Sequence, residues 1–152
     1  MKRLRIYIDI SVIGGCLDKE FQNVSRQLID KFKQGEMIVV ISELTTLELK
    51  DAPREVRNIV RDIPEKNIEY VELTEEAVNL AGKYIAEGVI GKLVDAEHIA
   101  IATINRVDVL VSWNFRHIVN LQRIRGYNSV NLKYDYPLLE IRSPLEVITY
   151  EE

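Results

Sequence analysis

Short β-branched and apolar runs alternate along this chain with segments whose apolar residues recur at helical spacing, and that alternation limits what it can fold into. Leu4 to Asp9 (LRIYID) suits a buried strand, and Phe21, Val24, Leu28 and Phe32 mark a helix from Phe21 to Lys33. Gly35 ends that helix, and Met37 to Ile41 (MIVVI) reads as a second strand. Ser42 is a good N-cap for a helix to about Lys50; Pro53 starts another to about Asp62, and Pro64 closes the pair. Ile68 to Leu73 alternates like a strand, and Thr74 with Glu75 and Glu76 caps a helix to about Glu87. A helix from about Leu93, a strand at Asp108 to Val111, a helix near His117 to Arg125 and a late strand around Leu138 to Ile141 complete the order. Such alternation implies a mostly parallel sheet covered by helices on both faces.

The 152 residues, 47% of them hydrophobic, suffice for one domain spanning 1–152 with a substantial core. No apolar run approaches the roughly 18 residues of a membrane span. The N-terminus MKRLRIYIDIS turns polar too early for a secretory segment, so a cytoplasmic protein is expected. A single cysteine, Cys16, excludes an internal disulfide, and two histidines are too few for a Cys/His zinc set. Any metal would be a hard cation on oxygen ligands. A net charge of −4 argues against coating nucleic acid by bulk attraction. Locally, however, Arg106, Arg116, Arg123, Arg125 and Lys133 face only Asp108 between Asn105 and Tyr134, and Arg54, Arg57 and Arg61 share one helical face. Either group can meet phosphates, or simply be solvated.

Polar groups at the strand ends carry the functional signal. Asp9 closes the first strand between Ile8 and Ile10, a costly place for an unpartnered charge. Glu48 lies in the helix after the second strand, Asp95 opens a helix, and Asn114 follows the strand at Val109 to Val111. In an open α/β sheet ligands bind at the carboxyl ends of strands, where these residues and Ser11 can converge. Each also has a plainer role. Asp9 can cap the following turn, and Ser11 can serve as an N-cap. Asp95 can complement the helix dipole, Glu48 can pair with Lys50 or an arginine, and Asn114 can form an Asx-turn. His98 shares a helix face with Asp95 and, like His117, reads equally as a structural histidine. Trp113 is a core residue or, if exposed, a stacking surface for a base. Gly14 and Gly15 mark a turn or a close-packing point, since IDISVIGGC lacks the spacing of a nucleotide-binding glycine loop.

Asp9 in YIDISV, Ser42 with Glu48 in VISELTTLEL, Asp95 in VDAEHIAIAT and Asn114 in LVSWNFRHI together resemble the four motifs of the PIN domain, most closely the VapC-like toxin nucleases. The resemblance covers about Ile6 to Val119, and the tail PLLEIRSPLEVI is similar to the closing strand and short helix of that family. It implies a three-layer α/β/α sandwich on a mostly parallel sheet, a Mg²⁺ or Mn²⁺ site, and hydrolysis of phosphodiester bonds in RNA. For a VapC-like protein it further implies a homodimer and a cognate antitoxin, with RNA as substrate and no membrane partner.

By the same resemblance, Asp9, Glu48 and Asp95 match the three acidic metal-binding positions. Asn114 stands where the family commonly has a fourth aspartate, which removes one negative charge. Catalysis is thereby expected from Asp9, Glu48, Asp95 and Asn114, and substrate contact from Ser11, Arg116 and His117. His117 before Ile118 replaces the Asp before Phe that is frequent in the family. The competing expectation is a PIN-like module that binds RNA or an antitoxin without cutting.

Overall fold

A computed structural model of the chain describes residues 2–148. Five parallel strands form the sheet: β1 (Arg5–Ile8), β2 (Ile38–Ser42), β3 (Ile68–Val71), β4 (Val109–Val111) and β5 (Ile141–Arg142), in the order β3-β2-β1-β4-β5. Helices α1 (Ile10–Gly15), α2 (Gln22–Lys33), α3 (Glu43–Lys50), α4 (Arg54–Arg61), α5 (Glu75–Ala86), α6 (Leu93–Ile104), α7 (Leu121–Lys133) and α8 (Pro144–Ile148) link and cover them. The chain is thus an all-parallel α/β fold of three layers, as the alternation of segments predicts.

Alternate side chains of each strand feed two cores. Tyr7, Val40, Leu110 and Ile141 pack with residues of α5, α6 and α7 on one face. Ile6, Ile8, Val39, Ile41 and Val111 pack with α1, α2 and α4 on the other. The central strands β1, β2 and β4 are apolar along most of their length because both faces are covered, whereas the edge strands β3 and β5 carry Glu69 and Arg142. Full burial of side chains such as Ile6 and Ile8 contributes on the order of 1.5–3 kcal/mol each.

The winding reverses between β1 and β4. The chain runs outward from β1 through β2 to β3, then returns to the other side of β1 with β4 and β5. Ile8 stands in register with Val111, so the residues that follow them, Asp9 and Ser112, emerge side by side at a topological switch point.

Three local expectations change. Residues 10–15 form helix α1, because Asp9 caps it by accepting a hydrogen bond from Ser11 N–H; Ser11 is therefore not the cap. Gly15 is the close-packing point: a Cβ there would stand 2.5 Å from Ser25 Oγ and 2.9 Å from Trp113 Nε1. The helix expected near His117 to Arg125 is α7, Leu121–Lys133. It begins later because Asn120 caps it through Arg123 N–H at 3.0 Å, while its amide donates to the carbonyls of Phe115 and Arg116. The late strand is Ile141–Arg142, displaced from Leu138–Ile141, because only Ile141 and Arg142 align with Leu110 and Val111.

Candidate active site

Asp9 is 7% exposed and held from three directions. Its Oδ1 accepts hydrogen bonds from Ser11 N–H at 3.1 Å and Ser11 Oγ at 2.5 Å, and its Oδ2 accepts one from Ser112 Oγ at 2.6 Å. The two hydroxyls are themselves fixed. Ser11 Oγ accepts from Trp113 N–H at 3.0 Å, and Ser112 Oγ accepts from Asn114 N–H at 2.9 Å. A carboxylate offers about four lone-pair positions, so three donors leave Asp9 with one, on Oδ2.

Asp95 lies in the first turn of α6, 6% exposed, and its Oδ2 is buried with no hydrogen-bond partner among the described residues. Burial raises its pKa above the ordinary carboxylate value, against the lowering influence of Lys92, His117 and His98, while the charge of Asp9 raises it further. That mutual repulsion couples the carboxylates across the sheet edge.

Glu48 turns to a different partner. His98 Nε2 lies 3.1 Å from Glu48 Oε1, and because a carboxylate only accepts, the ring N–H donates. The other ring nitrogen, Nδ1, lies 2.6 Å from the Tyr7 hydroxyl, which donates to Ser42 Oγ at 2.8 Å. Burial raises the Tyr7 phenol far above its usual pKa, so it stays protonated in this chain of hydrogen bonds.

Asn114 acts as a turn residue. Its Oδ1 accepts from His117 N–H at 3.0 Å, and its carbonyl accepts from Ile118 and Val119 N–H at 3.1 and 2.8 Å. His117 is half-buried, its Nδ1 enclosed with no partner among the described residues, while Arg116 is exposed. Hydrogen bonds therefore unite Asp9, Ser11, Ser112 and Asn114, and charge links Asp95 to Asp9, His98 and His117. Glu48 belongs to the His98 pair, and among the described residues no hydrogen bond or ion pair ties the Arg116 side chain to either group.

No family model and no curated protein matches this sequence. Solved structures do match in fold. The FitAB complex bound to an IR36 DNA fragment superposes with a TM-score of 0.60 at 10% identity, over 96% of this chain and 99% of that one. VapBC2 from Rickettsia felis, bound to a promoter DNA fragment, gives 0.57 at 13% identity, covering 92% and 98%. VapC20 from Mycobacterium tuberculosis, described as a Sarcin-Ricin loop cleaving toxin, gives 0.55 at 12% identity, covering 74% and 92%.

The chain has the PIN-like fold of the VapC toxins. No helix among its described residues is long and apolar enough to cross a membrane.

Within this PIN-like fold, the fit to a cation is that of a pair and not a triad. Among the described residues no three His, Cys, Asp or Glu side chains gather closely enough to hold a metal. Mg²⁺ and Mn²⁺ need less: one or two carboxylates, with water and phosphate oxygens completing the shell. The free lone pair of Asp9 Oδ2 and the unpartnered Asp95 Oδ2 match that requirement.

Two contributors receive no site role from the sequence, although Ser112 is one of the polar residues that follow the strand with Asn114 and His117. Ser112 directly follows β4 and resembles any small polar residue after a strand; only the Ile8–Val111 register brings it to Asp9. Tyr7 sits within an apolar strand run, and its hydroxyl reaches His98 across 91 positions of chain.

Proposed function

We propose that this protein is a divalent-metal-dependent ribonuclease, the toxin of a toxin–antitoxin pair. One observation carries the reading: a carboxylate locked by three hydrogen bonds stands at the switch point of the sheet, beside a second, buried carboxylate with an oxygen left unpaired. A buried unpaired carboxylate destabilises a fold and is retained where a ligand needs it.

Asp9 and Asp95 would hold the ion, with Mg²⁺ or Mn²⁺ as the cofactor. When bound, such an ion lowers the pKa of water and neutralises charge building on the scissile phosphate. Ser11 and Ser112 keep the Asp9 carboxylate in one orientation, which limits reorganisation during reaction. Asn114 fixes the turn that carries Arg116 and His117 toward the RNA backbone, where the exposed Arg116 supplies a cation. Glu48, paired to His98, orients water at the edge of the site.

The fold likeness to a toxin–antitoxin complex from Klebsiella pneumoniae supports an antitoxin protein as partner, and a homodimer is the assembly that the motif resemblance implies. Induced expression tests the reading: wild-type protein arrests growth, and Asp9→Asn relieves the arrest at equal protein level. Equal arrest by both would overturn it.

A second reading, a module that binds RNA or an antitoxin without cutting, is favoured by the engagement of Asn114 Oδ1 and of Glu48 Oε1 within the protein. Calorimetry separates the two. Mn²⁺ binding lost in Asp95→Asn supports the nuclease, whereas absence of Mn²⁺ binding by wild type supports the module.

A further inference from the structure

An open recess of about 450 Å³ adjoins the carboxylate site and is lined by Ser11, Gly14, Gly15, Asp18, Phe21, Trp113 and Asn114. That volume falls within the ~300–1,000 Å³ typical of ligand sites. Its near rim, Ser11 and Asn114, belongs to the hydrogen-bonded group around Asp9. Its wall is a stacked pair of rings, Phe21 and Trp113, with centroids 4.2 Å apart and planes 20° from parallel. Trp113 is anchored: its Nε1 donates to Ser25 Oγ at 2.8 Å, and Gly15 lets α1 approach closely enough for that contact.

The floor is bare backbone. A Cβ built on Gly14 meets nothing within 4 Å, and its backbone conformation is one any residue adopts. At the far rim stands the exposed Asp18, whose Oδ1 accepts from Glu20 N–H at 2.8 Å. A carboxylate there repels phosphate but accepts a hydrogen bond from an exocyclic amino group. The recess therefore suits a base and not the backbone.

We propose that this recess binds a nucleobase of single-stranded RNA next to the phosphate that a cation on Asp9 and Asp95 would hold, with the Phe21–Trp113 pair as its stacking wall and Asp18 accepting from the base edge. The inference rests on the nuclease reading, since it places the base by its distance along the chain from the reacting phosphate. Unstacked bases laid on aromatic side chains are the usual means of gripping single-stranded RNA.

Trp113 is the chain's single tryptophan, so its fluorescence reports on the recess directly. Titration of the whole protein, in chelator to prevent cleavage, uses an adenine-containing RNA oligonucleotide and the same oligonucleotide with abasic positions. The intact RNA quenches Trp113 and binds about tenfold more tightly than the abasic one. Gly14→Leu fills the recess, abolishes both the quench and that preference, and leaves the melting temperature unchanged or higher; Gly14→Ala retains both. Equal binding of intact and abasic RNA, or undiminished quenching in Gly14→Leu, overturns the subsite. If wild type cleaves RNA yet shows no Trp113 response, the subsite falls and the nuclease reading stands. If wild type fails to cleave RNA and is still quenched by the intact oligonucleotide, the nuclease reading falls and the subsite stands by itself.

Discussion

Ser112 donates its hydroxyl to Asp9 Oδ2 at 2.6 Å, joining the ends of β1 and β4 where the winding of the sheet reverses. Ser112 Oγ in turn accepts Asn114 N–H at 2.9 Å, so one side chain sets both the carboxylate and the turn that follows it. Sheet register and site geometry are thereby the same fact, because Ile8 and Val111 are aligned and their successors must meet.

Ser112→Ala removes both bonds and leaves the Asn114 N–H unpaired. A hydrogen bond to a charged group contributes about 1.5–3 kcal/mol. Urea unfolding of the variant is expected to show a loss of that order, and RNA cleavage is expected to slow by about 10–100-fold, the usual cost of losing a side chain that orients a metal ligand. Ser112→Thr, which retains the hydroxyl, recovers part of both.

The adjacent glycines of α1 respond oppositely. Gly15→Ala forces a Cβ to 2.5 Å from Ser25 Oγ and 2.9 Å from Trp113 Nε1, so it lowers the melting temperature and shifts Trp113 emission. Gly14→Ala meets open space and gains helix propensity, with stability raised by about 0.5–1 kcal/mol. Thermal melts of the two variants check the contrast.

Asp95→Asn is expected to raise the melting temperature of the metal-free protein. It removes a buried charge repelled by Asp9 and keeps the shape of the side chain. Each kcal/mol gained moves the midpoint of a chain of this size by about 2–4 °C. Added Mn²⁺ should then raise the midpoint of wild type but not of the variant, as ligand linkage requires.

Burial pushes the Cys16 thiol up to about 11, with the side chain only 3% exposed. Its pKa is higher folded than unfolded, so the stability it contributes is complete below the unfolded value of about 8.5 and is lost as pH rises through the folded one. The destabilisation caused by Cys16→Ala should therefore shrink between pH 8 and 11. At pH 8 a thiol reagent should modify Cys16 only after unfolding in urea.

The sheet, its order of segments and the strand-end carboxylates were legible because they follow from local periodicity and from charges set in apolar runs. Asp9 between Ile8 and Ile10 is such a case. Helix α1 escaped notice because two glycines at its end suggest a turn, while its cap is a tertiary fixture held also by Ser112. The onset of α7 depended on Asn120, whose amide bonds to Phe115 and Arg116 complete the preceding turn. Glu48 lies at the expected position in α3, but its partner His98 stands 50 positions further along the chain, in α6, and the pairing has no trace in local spacing.

The most direct measurement is cleavage of a labelled single-stranded RNA by wild type, Asp9→Asn and Asp95→Asn, each verified as folded, with Mn²⁺ and with chelator. Wild type is expected to cleave only with Mn²⁺, and each variant to lose at least about 100-fold in rate, beyond the 10–100-fold cost of losing a residue that only orients a ligand. Cleavage that survives chelation, or that both variants retain at the wild-type rate, would contradict the assignment of Asp9 and Asp95 as the metal-holding pair.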